Sequence, residues 1–197
     1  MAERSGGIGV FGGTFDPPHV GHVAMAADVR WALGLDEVLL VVANVPWQKA
    51  HRVVSPAVDR LAMVEAAVAG VPGVEASALE VERGGPSYTI DTLDELGRRH
   101  PGAPLHVVVG ADAAALLDTW ERAAEVRARA SVVVVRRPGS AGALPPGWEA
   151  THVEAPLLDV SSSDLRARVA EGRPIDGLVP APVVALIRDR GLYAAGG

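Results

Sequence analysis

Four short apolar runs, Ile8–Phe11, Val38–Val42, Leu105–Val109 and Val132–Val135, recur along this chain of 197 residues, each continuous rather than alternating. A strand with one face in water alternates apolar and polar side chains, so an unbroken run points to a strand covered on both faces, as in a parallel sheet between two helix layers. The segments between the runs fit that arrangement. Val20–Leu33, Pro56–Ala69, Thr89–His100 and Ala113–Ala130 carry apolar residues at i, i+3, i+4 spacing, the last dividing into two short helices. Ser55-Pro56 and Asp91 supply helix start signals, and Gly34, Gly70, Gly102 and Gly191 punctuate helix ends. This alternation predicts an α/β fold with a doubly wound parallel sheet and right-handed crossovers. From Val160 the chain reads as a helix over Ser163–Ala170, a turn at Gly172-Arg173-Pro174 and a helix over Pro182–Arg190. No internal repeat and no separating linker is visible, so one domain over 1–197 is expected, with a small C-terminal helical part at about 160–197.

Composition removes several classes of function. Hydrophobic residues make up 49% and charged residues 21%, enough to bury a sizeable core. Acidic residues outnumber basic ones 24 to 18, for a net charge of −6, the wrong sign for coating nucleic acid or an anionic membrane. Any phosphate-bearing ligand must therefore meet a local site. The absence of cysteine rules out disulfides, thiolate metal sites and cysteine nucleophiles. The N-terminus lacks the apolar run of a signal peptide, and no apolar stretch is long enough to span a bilayer, so a soluble cytoplasmic protein is expected. The Gly- and Pro-rich stretch Pro138–Gly147 reads as a mobile loop.

Directly after the first apolar run comes Gly12-Gly13-Thr14-Phe15-Asp16-Pro17-Pro18-His19-Val20-Gly21-His22. This is a glycine turn followed by a helix start, at the carboxyl end of a strand, where open α/β sheets bind ligands. Gly12 and Gly13 permit close backbone approach, and the free N–H groups of the helix start favour an anion, with phosphate the natural candidate. His19 and His22 share one face of the first helical turn, where both imidazoles can donate to the same phosphate. Each piece alone has an ordinary reading: a turn, a cap, a surface histidine. Metal binding by the pair lacks a third local ligand.

A second constellation, Ser161-Ser162-Ser163-Asp164-Leu165-Arg166, places three hydroxyls at a late helix start and a guanidinium one turn in. A serine there caps a helix in any protein, yet three exceed what a cap needs, and Arg166 can grip terminal phosphates in a bidentate way. Two phosphate cradles, one early and one late, suit a triphosphate split between its α and β phosphates.

The first string resembles the Gly-Gly-Thr-Phe-Asp-Pro…His-x-Gly-His signature of the nucleotidyltransferase superfamily. Val160–Arg166 is similar to its second signature, Ile-Ser-Ser-Thr-x-Ile-Arg, with Val160, Ser163 and Leu165 as mild replacements. The resemblance covers nearly the whole chain and narrows to the bacterial nicotinate-nucleotide adenylyltransferases, which implies a Rossmann-like sheet. Ser87-Tyr88-Thr89-Ile90-Asp91-Thr92-Leu93 resembles a string whose Tyr and Thr the family uses near the pyridine nucleotide. Gly110-Ala111-Asp112…Trp120 is similar to Gly-x-Asp…Trp, where Asp lies by the nucleotide ribose and Trp stacks on the nicotinate ring. Arg136-Arg137-Pro138-Gly139 resembles the family's Arg-Pro-Gly, making Arg137 the implied phosphate contact. Leu178-Val179-Pro180 with Gly191-Leu192-Tyr193 resembles the closing helix. From the residues alone, Asp112 serves equally as a helix cap, and Trp120 as core packing.

The chain departs from the family after its second strand: Pro46-Trp47-Gln48-Lys49 stands where Pro-Pro-His-Lys is usual. Lys49 can still reach a phosphate, and the surrounding Ala43–Ser55 stretch is a candidate lid.

The resemblance implies transfer of the adenylyl group of ATP to nicotinate mononucleotide, with Mg²⁺ accompanying the ATP. The implied catalytic groups are His19, His22 and Arg166. Gly12, Gly13, Thr14, Phe15, Gly110, Asp112, Arg137, Ser161, Ser162 and Ser163 join them around ATP, and Asn44, Lys49, Tyr88, Thr89 and Trp120 around the acceptor, with no protein-held metal. A homo-oligomer is compatible with the sequence. Two rivals stand beside this reading. Phosphopantetheine adenylyltransferase shares the first signature and lacks the Ser-Tyr-Thr string, while a nucleotide-sensing module would have no need of His19, His22, Ser162 and Arg166 together.

Overall fold

The computed structural model describes residues 6–46, 54–136, 144–156 and 158–194. Its centre is a six-stranded sheet made of β1 (Ile8–Gly13), β2 (Glu37–Val42), β3 (Val74–Ser77), β4 (Leu105–Gly110), β5 (Ser131–Arg136) and β6 (Ala150–Glu154), in the order β3-β2-β1-β4-β5-β6. Every neighbouring pair is parallel. Around it lie α1 (Val20–Leu33), α2 (Ala57–Val68), α3 (Leu79–Arg83), α4 (Thr89–Arg99), α5 (Ala111–Ala114), α6 (Ala123–Arg129), α7 (Ser162–Ala170) and α8 (Ala181–Asp189). The doubly wound reading holds, and all four apolar runs are strands.

The continuity of those runs has a simple cause. Alternate residues of each strand enter different cores: Val10, Leu39, Val41, Val107, Val109, Val132 and Val134 pack on the face covered by Ile90, Leu93 and Leu96 of α4 and by Val126 of α6. Phe11, Val38, Leu40, Val42, Val108, Val133 and Val135 pack on the other face with Ala26 and Val29 of α1 and Val64 and Val68 of α2. With both faces dry, neither set of alternating positions tolerates a polar residue. At Gly9 the packing leaves no room for any side chain, since a Cβ would lie 2.8 Å from Val38 Cγ2.

Two strands escaped the sequence reading, β3 and β6, and both are sheet edges. In β6 Thr151, His152 and Glu154 are exposed and only Val153 is buried, so no apolar run marks it. Helix α3 was also missed, being a single short turn. The Ala113–Ala130 segment divides into two short helices as expected, α5 and α6, with a 3-10 turn over Leu117–Thr119 between them, but α5 begins two residues earlier, at Ala111. Gly191-Leu192-Tyr193 lies beyond the end of α8 rather than within the closing helix.

A third core joins the C-terminal helices to α2. Met63 and Ala67 meet Leu165 of α7 and Val183, Val184 and Ile187 of α8, while Val64 and Val68 of the same helix face the sheet. Helix α2 thus carries two apolar stripes, which fixes α7 and α8 relative to the carboxyl ends of the strands. No described helix is long and apolar enough to cross a membrane.

His106, on β4, is a polar residue within the inner sheet whose Nε2 is buried without a hydrogen-bond partner, and burial draws its pKa below the ordinary value. The unfolded chain then binds this proton more readily than the folded one. Folding stability should hold above the ordinary histidine pKa of about 6.5 and fall as pH drops through and below it. Urea unfolding at pH 7.5 and 5.5 should show a smaller acid loss in His106→Gln than in the parent; equal losses would contradict this assignment.

Candidate functional site

In a sheet of this order the chain leaves β1 toward one edge and β4 toward the other, opening a crevice at their carboxyl ends. Gly12 and Gly13 end β1, and Gly110 ends β4. A Cβ at Gly12 or Gly110 would meet no atom within 4 Å, so both glycines border open space. Gly13 differs, because a Cβ there would strike the Phe15 ring at 2.7 Å. Phe15 holds a left-handed backbone with φ of +50°, unfavourable for an aromatic residue and characteristic of a conformation imposed by its surroundings. The ring is only 3% exposed and forms the bed for His22, edge to face at a centroid distance of 5.0 Å.

Two cavities open at the crevice and share a wall made of Phe11, Gly12, Gly13, Thr14 and Gly110. His19, His22, Ser161, Ser162, Ser163 and Arg166 all line one of them, so groups from both ends of the chain face a single space. The imidazoles of His19 and His22 stack, centroids 3.6 Å apart and planes 23° apart. His22 Nδ1 accepts the His19 backbone N–H at 3.2 Å. A ring nitrogen that accepts carries no proton, so the neutral ring holds its hydrogen on Nε2 and can act as a donor there. Gly21 keeps space between His19 and Val160: a Cβ would lie 3.1 Å from His19 Nδ1 and 3.3 Å from Val160 Cγ1.

The three serines divide their duties. Ser161 caps α7, accepting the Asp164 N–H at 3.1 Å, and its hydroxyl lies 3.1 Å from that of Ser163. Ser162 donates to the Pro17 carbonyl at 2.8 Å, and Arg166 Nη1 donates to the Asp16 carbonyl at 2.7 Å. These two bonds dock the late helix onto the early turn.

The other cavity is lined by Tyr88, Thr89 and Trp120, together with Pro46, Ser87, Thr92 and Glu80. Trp120 is partly buried against the first core and also lines this cavity. Asn44 is nearby without lining either cavity. Its side-chain amide donates to the Gly85 carbonyl at 3.0 Å and its N–H to Ser87 Oγ at 2.8 Å. Asp112 is exposed in the first turn of α5 and belongs to neither wall. Lys49, Arg137 and most of the candidate lid lie outside the described residues, as does the first part of the Pro138–Gly147 loop.

Two residues of the site carried no motif. Arg60, 1% exposed, donates to four carbonyls: Ser55 at 2.8 Å, Thr14 at 2.9 Å, Ala43 at 2.6 Å and Asn44 at 3.0 Å. It ties the loops after β1 and β2 to the start of α2. Burial lowers its pKa, against which Asp16 and Tyr193 act to raise it. A signal existed, since Arg60 shares a helix face with Met63, Val64 and Ala67 and is therefore a charge on an apolar stripe. Glu80 is the other. Its buried carboxyl has a raised pKa from desolvation, partly offset by hydrogen bonds from Thr92 (2.6 Å) and Ser87. No sequence pattern distinguishes it from Glu82.

The comparisons with known proteins agree with this geometry. Residues 10–168 match the cytidylyltransferase-like family. A Corynebacterium kroppenstedtii protein named "Probable nicotinate-nucleotide adenylyltransferase" is 43% identical, over 96% of this chain and 92% of its own length. A Streptomyces coelicolor protein of the same name is 45% identical over 92% of this chain and 98% of its own. Among solved structures, the nicotinic acid mononucleotide adenylyltransferase of Plasmodium falciparum complexed with NaAD superposes with a TM-score of 0.76 at 15% identity, covering 94% of this chain and 96% of that one. At that identity the likeness concerns the fold.

Replacing Arg60 by Lys keeps a charge but cannot reach four carbonyls. The loss, on the order of 3 kcal/mol, should lower Tm by about 10 °C in a thermal melt, and a shift of about 2 °C or less would contradict the clamp. The chain belongs to the cytidylyltransferase-like family and, within it, to the nicotinate-nucleotide adenylyltransferases.

Proposed function

We propose that this protein transfers the adenylyl group of ATP to nicotinate mononucleotide, releasing pyrophosphate and forming nicotinate adenine dinucleotide. One observation carries the reading: the cavity lined by His19, His22, Arg166 and the serines shares its glycine wall with the cavity lined by Tyr88, Thr89 and Trp120. A triphosphate held in the first and a flat heterocycle in the second bring two phosphates together at Gly12 and Gly13.

In the reaction an oxygen of the acceptor's 5′-phosphate forms a bond to the α-phosphorus of ATP, and the bond from that phosphorus to the α–β bridging oxygen breaks. A phosphate dianion attacks without a protein base, so catalysis consists of positioning and charge stabilisation. In this reading His22 donates from Nε2 to the reacting phosphate and His19 stacks beside it as a second donor. Arg166, anchored by one nitrogen on Asp16, turns its remaining donors to the departing pyrophosphate. The start of α7 adds backbone N–H groups and the positive end of its dipole. Trp120 supplies a face for the pyridine ring, and Tyr88 and Thr89 border it. Lys49 and Arg137 are assigned to phosphate and Asp112 to the ribose on the family resemblance alone.

Among the described residues no cluster of three or more His, Asp or Glu could hold a metal, and Asp16, which lines the first cavity, is already bonded to Tyr193 and Ser55. Such a donor-rich cavity fits Mg²⁺ arriving on the phosphate oxygens of ATP, where it offsets charge on the leaving group. A cytoplasmic location, where ATP is available, goes with this reading.

Pyrophosphate release from ATP and Mg²⁺ should be fastest with nicotinate mononucleotide as acceptor, slower with nicotinamide mononucleotide, and at background with phosphopantetheine; equal release without any acceptor would overturn the assignment. His22→Ala should lower kcat by about 100-fold with little change in Tm. An unchanged kcat in the folded variant would remove His22 from the mechanism.

A further inference from the structure

Tyr193 follows α8, lines neither cavity and has no part in the transfer as derived. Its conformation is nonetheless tightly specified. The backbone takes a φ of +66°, in the left-handed region, and the hydroxyl donates to Asp16 Oδ1 at 2.6 Å, with Met63 Sδ at 3.8 Å. Asp16 is 4% exposed and is held from several sides. Oδ2 accepts the Ser55 N–H at 3.3 Å, and the backbone carbonyl accepts Arg166 Nη1 at 2.7 Å. The next carbonyl, that of Pro17, accepts Ser162. Burial and the bond to Asp16 raise the Tyr193 pKa, so the phenol remains a donor at neutral pH. A residue near the end of the chain therefore fixes the side chain of the residue whose main chain anchors Arg166.

We propose that Tyr193 is a positioning residue for adenylyl transfer, acting through Asp16 to hold Arg166 at the phosphate cavity. The inference rests on the reaction proposed above. Without the phenol, Asp16 Oδ1 is a buried acceptor lacking this donor, and its carboxylate has Arg60 within electrostatic reach as an alternative. A turn of Asp16 toward Arg60 would disturb the backbone whose carbonyl holds the Arg166 guanidinium. The ground-state grip on ATP uses many donors, whereas stabilisation of departing pyrophosphate depends on the exact placement of one, so the effect falls on kcat.

Tyr193→Phe should lower kcat about tenfold while the KM for ATP stays within about twofold. In an Arg166→Lys background the same change should have no further effect, because the group it positions is already altered. Leu192→Ala loosens the packing of the same segment on the third core without touching Asp16, and should lower Tm while keeping kcat. An unchanged kcat in Tyr193→Phe, an additive loss in the Arg166→Lys background, or a parallel kcat loss in Leu192→Ala at equal Tm cost would each overturn the proposal. A wild-type rate at background would overturn the proposed reaction and this inference together; wild-type turnover with an unaffected Tyr193→Phe would overturn the inference alone.

Discussion

Two main-chain carbonyls, those of Asp16 and Pro17, hold the early and late parts of the chain together. A turn between a strand and a helix leaves such groups without partners in regular structure, and a buried carbonyl without a donor is costly. Here Arg166 and Ser162 supply the donors from α7, across separations of 150 and 145 residues. The same contacts that satisfy the turn place the guanidinium and hydroxyls beside His19 and His22. Docking brings the two signature segments to one cavity, so they depend on each other for structure.

Arg60 performs the matching task on the other side of the turn. A guanidinium withdrawn from water requires acceptors on all its nitrogens, and four carbonyls from two loops, the β1–α1 turn and the β2–α2 connection, provide them. Those loops form the rim of the crevice. Charge, not apolar packing, sets their mutual distance, while the nearby glycines keep space that side chains would fill: Gly12 and Gly110 toward the open crevice, Gly21 between His19 and Val160. The left-handed Phe15 fits the same pattern, a strained residue held because its ring supports His22.

The fold was legible where its physics is local and repetitive. Strands buried on both faces announce themselves as continuous Val, Ile and Leu runs, and α1 was bounded correctly because Gly34 ends it in the left-handed conformation. The edge strands β3 and β6 were not legible, since an edge needs few apolar residues and its pairing partner lies far away in sequence. Within the site, the histidines, serines and Arg166 stood out because phosphate chemistry needs those groups in a short span. Arg60, Glu80 and Tyr193 did not, because each works through partners that only the folded chain brings near: Tyr193 and Asp16 are 177 residues apart. Asn44, which the family resemblance places around the acceptor, donates its side-chain amide to the Gly85 carbonyl, a partner 41 residues away that no local pattern announces.

The central claim is that the early imidazoles and the late guanidinium act on one triphosphate. Side-chain ¹⁵N NMR during titration with a non-hydrolysable ATP analogue and Mg²⁺ tests it most directly. The His22 Nε2 and Arg166 Nε signals should move together with a common half-saturation, and His22 should keep its proton on Nε2 before and after binding. Arg166 signals that stay fixed, or that move at a different ligand concentration from those of His22, would contradict it.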